Sequence, residues 1–406
     1  MAHTNGTKIL LVNGLAVGLM GSISVQAEES NSTESIGKVE KIVVTGSRKS
    51  SSDPESSAAP VDFVFGDDLF QQGDTDLPNL MRNVVPSYNV NNQPISDAAT
   101  IVRPANLRGL PPDSTLVLVN GKRRHRSAVI SFLGQGVSDG SQGADISVIP
   151  SIALKRVEVL KDGAAAQYGS DAIAGVVNFV LKDDAQGATF STKLGSYYEG
   201  DGQLAEYAAN IGMPLFKNGF ANVSFEYGTS ESTNRSVQRA DAAALIEAGN
   251  TNVADPAQIW GQPEVTDNIK AFVNLGQEIN DNLEFYALGN YAQRRVEGGF
   301  YYRNPDTRDG VYSNDGGETR LVGDRNPNND IACDQIAVGD AAGLALITDN
   351  NSALGAECFT FTEMFPGGFT PRFGGNLVDT SGVAGFRGEL EGAAVPPLNN
   401  ASMAAA

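Results

Sequence analysis

Histidine, cysteine and tryptophan are nearly absent: two His, two Cys and one Trp in 406 residues. His3 lies in the opening residues, so a triad or metal centre could draw on His125 alone, which argues against most histidine-dependent enzymes. Cys333 and Cys358 form no CxxC or Cys/His cluster, and no zinc site is written in the chain. Positive charge is also short, with Lys+Arg 29 against Asp+Glu 48, net −19 and pI near 4.5. A polyanionic partner is thereby disfavoured, because nucleic-acid binders display a basic face. Long apolar runs are missing too. "ILLVNGLAVGLM", residues 9–20, is too short to span a bilayer as a helix. With Lys8 before it and "SVQA" after it, the run reads as a signal peptide over 1–27, cleaved after Ala27. Such an address places the mature chain in an oxidising compartment, where Cys333 and Cys358 are permitted to form a disulfide.

What the chain does contain is 41% hydrophobic residues, enough for a packed core in two or three domains. Residues 28–58 are Ser/Glu-rich and expected to be disordered. Inside them sits "EKIVVTGSR", 40–48, with four consecutive strand-favouring residues, Ile42 to Thr45. Residues 59–182 read as a compact α+β domain. Leu77, Leu80, Met81 and Val84 fall at helical spacing, and Leu116 to Val119 ends at Asn120-Gly121, a tight hairpin signal. Two strands follow, 156–160 and 176–181.

From residue 187 the pattern becomes plain alternation. Ala188, Phe190, Thr192 and Leu194 share one face, as do Tyr207, Ala209, Ile211 and Met213, then Ala221, Val223, Phe225 and Tyr227. The segments 269–275 and 283–287 continue it, and 383–390 is a sixth strand in outline. Connections 214–219 and 278–282 are short, whereas 230–267 and 296–372 are long. Short turns at one end and long loops at the other favour an outer-membrane barrel over a soluble sandwich.

Several motifs carry little chemistry. "GQGVSDGSQGAD" (134–145) lacks the Lys-Ser/Thr of a phosphate loop and reads as a loop. "KRRHR" (122–126) reads as a solvated loop or a set of internal salt bridges, with contact to an anionic cargo as the sharper alternative. Arg156 and Glu158 lie on one face of a strand, where burial would require them to be paired, so a polar lock is expected there. No nucleophile–base pair or carboxylate pair stands out, and no enzyme activity or cofactor is expected.

These residues together carry a resemblance. "VEKIVVTGSR" resembles the TonB box of TonB-dependent outer-membrane receptors. "LMRNVVPSYNVN", "RPANLRGL", "LVLVNGKR" and "IPSIALKRVEVLKDGAAAQYGSDAIAGVVNFVLK" are similar to that family's plug motifs, in the family's order. The resemblance covers roughly 40–302, weakens through the long loop and returns faintly at "SGVAGFRGEL". It implies an α+β plug followed by antiparallel transmembrane β-barrel strands, and active uptake of a scarce nutrient across the outer membrane. It further implies TonB, with ExbB and ExbD, as partner at a box of Lys41, Ile42, Val43, Val44 and Thr45. Arg108 lies in a plug motif and joins Arg156 and Glu158 in the expected lock. A ferric siderophore is the first ligand class expected; an oligosaccharide, cobalamin or another metal chelate is the alternative.

The fit to the family is incomplete. A barrel of about twenty-two strands needs well over ~400 residues after the plug, more than the chain holds beyond 187, and 391–406 resembles no part of the family. The sequence therefore leads us to expect a partial barrel over 187–390 and a truncated product, with a non-transporting plug module that only binds as the alternative function.

Overall fold

The computed structural model describes residues 61–90, 95, 101–131, 138–161 and 164–388. The expected signal peptide, the TonB box at 41–45 and the tail 391–406 lie outside these residues.

The first domain is a five-stranded sheet in the order β1-β6-β7-β4-β5. Its strands are β1 (Val61–Phe65), β4 (Thr115–Val119), β5 (Lys122–Arg123), β6 (Leu154–Leu160) and β7 (Gly175–Leu181), with β4 and β7 parallel. Helices α1 (Gly66–Phe70) and α2 (Leu77–Val84), the ladder β2 (Tyr88–Val90) with β3 (Ala105–Leu107), and the short helix α3 (Ala164–Tyr168) complete it. Pro78 near the start of α2 costs no hydrogen bond there, and Leu77, Leu80 and Met81 are buried. They meet Val117, Val157, Val159, Val177 and Phe179 in one core. The β4–β5 turn is the one written as Asn120-Gly121: both residues have positive φ, 47° at the asparagine and 74° at the glycine, the conformation a two-residue hairpin demands.

The second domain is a six-stranded antiparallel meander, β17-β12-β11-β10-β9-β8. Its strands are β8 (Ala188–Gly195), β9 (Leu204–Pro214), β10 (Gly219–Ser230), β11 (Glu264–Asn280), β12 (Leu283–Gly299) and β17 (Arg372–Gly388). The sheet is inside-out relative to a soluble protein. Glu206, Asn210, Asn222, Ser224, Glu226, Lys270, Asn274 and Asn290 are buried on the inner face, toward the first domain. Phe190, Tyr207, Ile211, Phe225, Tyr291, Val378 and Phe386 are exposed on the outer face. An apolar outer band with a polar interior is the pattern of a lipid-facing barrel wall. Phe272 and Ala292 are the inner-face residues that join the first domain's core.

The strand expected at 383–390 is corrected: β17 begins at Arg372, and its described residues end at Gly388. Gly374, Gly375, Gly382 and Gly385 thin out its apolar pattern, which is why only its second half was legible. β11 and β12 also run beyond 269–275 and 283–287. In β11 the register shifts between Thr266 and Ile269 and again between Glu278 and Asn280, so the ends lose simple alternation.

Turns 215–218 and 281–282 close one end of the meander; loops 196–203, 231–263 and 300–371 rise from the other. The longer loops carry α4 (Ala240–Glu247), α5 (Ala341–Thr348), α6 (Ala353–Glu357) and α7 (Phe361–Met364). Two short ladders lie in the last loop: β13 (Thr319–Arg320) with β15 (Ile336–Ala337), and β14 (Gly323–Asp324) with β16 (Cys358–Phe359). Cys333 and Cys358 are joined in a disulfide there. Ala242, Val253 and Ala257 of one loop pack on Tyr302 of the other, giving the two loops a shared core. No helix among the described residues is long and apolar enough to cross a membrane.

Candidate functional site

Two features converge on the inner face of the wall: a set of polar ties holding the first domain, and a cavity at the long-loop end.

The ties start at the hairpin. Asn120 donates from Nδ2 to Asn274 Oδ1 (3.1 Å), and Asn274 Nδ2 donates to the Lys182 carbonyl (2.9 Å). The strand β5 then delivers the basic run into the wall. Arg124 is buried, forms an ion pair with Asp379, and donates to Asn290 Oδ1 (2.8 Å) and Ser381 Oγ (2.6 Å). His125 Nε2 lies 2.7 Å from the other Asp379 oxygen. Burial pushes the Arg124 guanidinium down, and Asp379 beside it works in the opposite direction. Lys122 sits over the Tyr286 ring at 4.9 Å, and Arg123 pairs with Asp171. Within the run 122–126, Arg124 and His125 are thus paired with the wall, while Arg123 and Arg126 stay exposed.

Further round the wall, Glu226 accepts from Ser151 Oγ (3.1 Å), the Ile152 amide (3.1 Å) and Lys270 Nζ (3.0 Å). Arg294 donates to Asp145 Oδ2 (3.0 Å) and the Ile101 carbonyl (2.7 Å). Lys193 donates to the Asp74 carbonyl (3.2 Å). The Glu226–Lys270 and Arg294–Asp145 pairs compensate charges that would otherwise be costly to bury.

The residues expected to form the lock sit elsewhere. Arg156 Nε donates to Glu158 Oε1 (2.9 Å), and Asn178 Nδ2 donates to Glu158 Oε2 (3.1 Å), all three within the first domain's sheet. Arg108, at φ 57°, donates to the Lys161 carbonyl (2.5 Å). The structure brings Arg156 and Glu158 together but places Arg108 apart from them. Reasoning from the sequence missed Arg124, Asp145, Glu226, Lys270, Arg294 and Asp379. The available signal was alternation: Glu226, Lys270, Arg294 and Asp379 are charges on the face opposite the apolar positions of their strands.

The cavity has a volume of about 490 Å³, within the range of small-molecule sites. The segment before α2 supplies Asp74, Thr75 and Asp76, and α2 itself Asn79; the wall supplies Leu204, Thr229, Asn268, Arg294 and Val296; the rim supplies Tyr197 and Gln262. Asp74 Oδ1 accepts from the Thr75 and Asp76 amides (2.7 and 2.9 Å), and its Oδ2 from Asn79 Nδ2 (2.9 Å), which fixes this segment. Arg103 pairs with Asp76; burial works to lower its pKa, but Asp76 holds it above the ordinary value. At the mouth, Arg235 donates to Asp201 (2.6 and 2.9 Å) and Glu199 (3.1 Å) and stacks over Tyr197 at 5.3 Å. These bonds from Arg235 hold the Asp201 carboxyl down at about 2 and tie loop 196–203 to loop 231–263. Among the described residues no cluster of His, Cys, Asp and Glu could hold a metal ion.

Residues 53–176 match the family described as the TonB-dependent receptor plug domain. Among curated relatives, the chain is 28% identical over 316 residues to the rhizobactin receptor of Rhizobium meliloti (strain 1021), covering 74% of this chain and 37% of that protein. It is 30% identical over 187 residues to the vitamin B12 transporter BtuB of Vibrio cholerae, covering 46% and 27%. A solved ferric enterobactin receptor mutant of Pseudomonas aeruginosa aligns with TM-score 0.45 and 19% identity, over 59% of this chain and 34% of that one. The chain thus spans well under half the length of the curated relatives named here.

Proposed function

The chain carries the plug of a TonB-dependent receptor and antiparallel strands of an outer-membrane barrel, and from that premise we propose that it serves ligand-gated, TonB-energised import across the outer membrane. A ligand enters between the long loops and settles where the plug segment 73–83 faces the wall. The segment 41–45 pairs edge-on with TonB in the periplasm, and TonB, driven with ExbB and ExbD, pulls on the plug. Lys41, Ile42, Val43, Val44 and Thr45 are the contact we assign to that partner.

The observation that carries this reading is the shared cavity. Its lining comes from both plug and wall, so an occupant bears on both at once. The ties through Arg124, Glu226 and Arg294 are polar and charge-paired, and an interface of this kind can part without exposing a large apolar surface. The names of the relatives, a rhizobactin receptor and a vitamin B12 transporter, make a ferric siderophore the first class to test and cobalamin the second, with an oligosaccharide as the third. Accumulation of radiolabelled ligand by cells producing the chain, with and without TonB, tests the reading. Uptake that requires TonB is expected; equal uptake in the two strains contradicts it.

A further inference from the structure

The cavity walls differ in charge from what an anionic cargo requires. Among the described residues that line it, the cations are Arg103 and Arg294. Each is already committed. Arg103 pairs with Asp76, and Arg294 pairs with Asp145 while donating to the Ile101 carbonyl. The lining also carries the carboxylates of Asp74 and Glu231, so its balance is negative. Arg235, just outside the mouth, faces two carboxylates of its own, Asp201 and Glu199. Among the described residues that line the cavity, a multiply anionic ligand meets no uncompensated cation, and like-charge contact is a strong negative selector. Uncharged polar groups also line it: Asn268 brings an amide and Thr229 a hydroxyl, and Asn79, Asn83, Gln262 and Tyr197, though bonded to Asp74, to Gln72 and to each other, add further donors and acceptors at their remaining positions. Amides and hydroxyls both donate and accept, which suits the hydroxyl, amide and carbonyl groups of a neutral ligand.

We propose that this cavity takes an uncharged, hydrogen-bonding ligand and turns away a multiply anionic one. The inference rests on the transport reading above and narrows its substrate class. Among iron chelates it selects a charge-neutral hydroxamate complex over a trianionic catecholate complex, and a neutral oligosaccharide offers the same chemistry from another source.

The test titrates the full chain in detergent micelles with three probes: a neutral ferric tris-hydroxamate, a trianionic ferric tris-catecholate, and an array of neutral oligosaccharides. Binding is read by calorimetry and by fluorescence of the single tryptophan, Trp260, whose carbonyl accepts from the Arg235 amide at the rim (2.8 Å). At least one neutral probe is expected to bind ~100-fold or more tightly than the catecholate, and Asn268→Ala is expected to weaken it. Which neutral probe binds identifies the source. Glu231→Gln, at an exposed position, and Asp76→Asn, which leaves Arg103 uncompensated, are both expected to narrow the gap by improving catecholate binding. Tighter binding of the catecholate in a manner that Asn268→Ala weakens, or no binding by any neutral probe, overturns the proposal. Capture by the periplasmic domain of TonB is measured on the same preparation, so a failure of the transport reading is seen separately.

Discussion

At the scale of single residues, the seating of the plug depends on charges that satisfy one another inside the wall. Arg124 is the plainest case, with a side chain 4% exposed against Asp379. Asp379→Ala leaves that guanidinium buried and uncompensated, and should cost about 3–5 kcal/mol, read as a lowered denaturant midpoint of the chain in detergent. Asp379→Asn keeps part of the hydrogen bonding and should cost less; an unchanged midpoint in the alanine variant contradicts the account. A second residue-scale expectation concerns pH. Arg235 lowers Asp201 from 3.8 to about 2 in the folded chain, so its stabilising contribution is present above the unfolded value and is lost as pH falls through the folded one. Trp260 fluorescence should therefore change between about pH 4 and pH 2, and Asp201→Asn should remove that transition. The pairing of Arg124 with Asp379 was not legible in the sequence, because the two lie 255 positions apart and only the docking of the first domain on the inner face of the sheet brings them together.

At the scale of elements, the wall was legible where apolar and polar residues alternate strictly, and blurred where glycine or a register shift intervened. β9 and β10 read clearly from Tyr207 to Tyr227, while β17 was seen only from Val383 because glycines occupy much of its length. Which face points inward could not be read from alternation alone; the buried Glu226 and Lys270 settle it. Ala271 lies on the outer face of β11, paired with Phe225 and Tyr291. Ala271→Arg should therefore destabilise membrane insertion by about 2–4 kcal/mol, read as loss of the chain from the outer-membrane fraction. Normal recovery of that variant would contradict a lipid-facing assignment.

At the scale of the whole molecule, the order of the described parts was legible from the start: a plug, then strands with long loops at one end. What the sequence did not yield was the joint cavity, since its lining runs from Gly73 to Val296, and no local pattern connects residues so far apart. In the function proposed above, the plug and wall hold the ligand and the box at 41–45 receives the energy. The most direct measurement is capture of the chain, in outer-membrane vesicles, by the periplasmic domain of TonB, comparing the natural sequence with Val43→Pro. Proline removes a backbone donor from the segment proposed to pair. Capture of the natural chain and its loss in the variant, with ligand binding unchanged, is the expected result; equal capture of both would contradict the account.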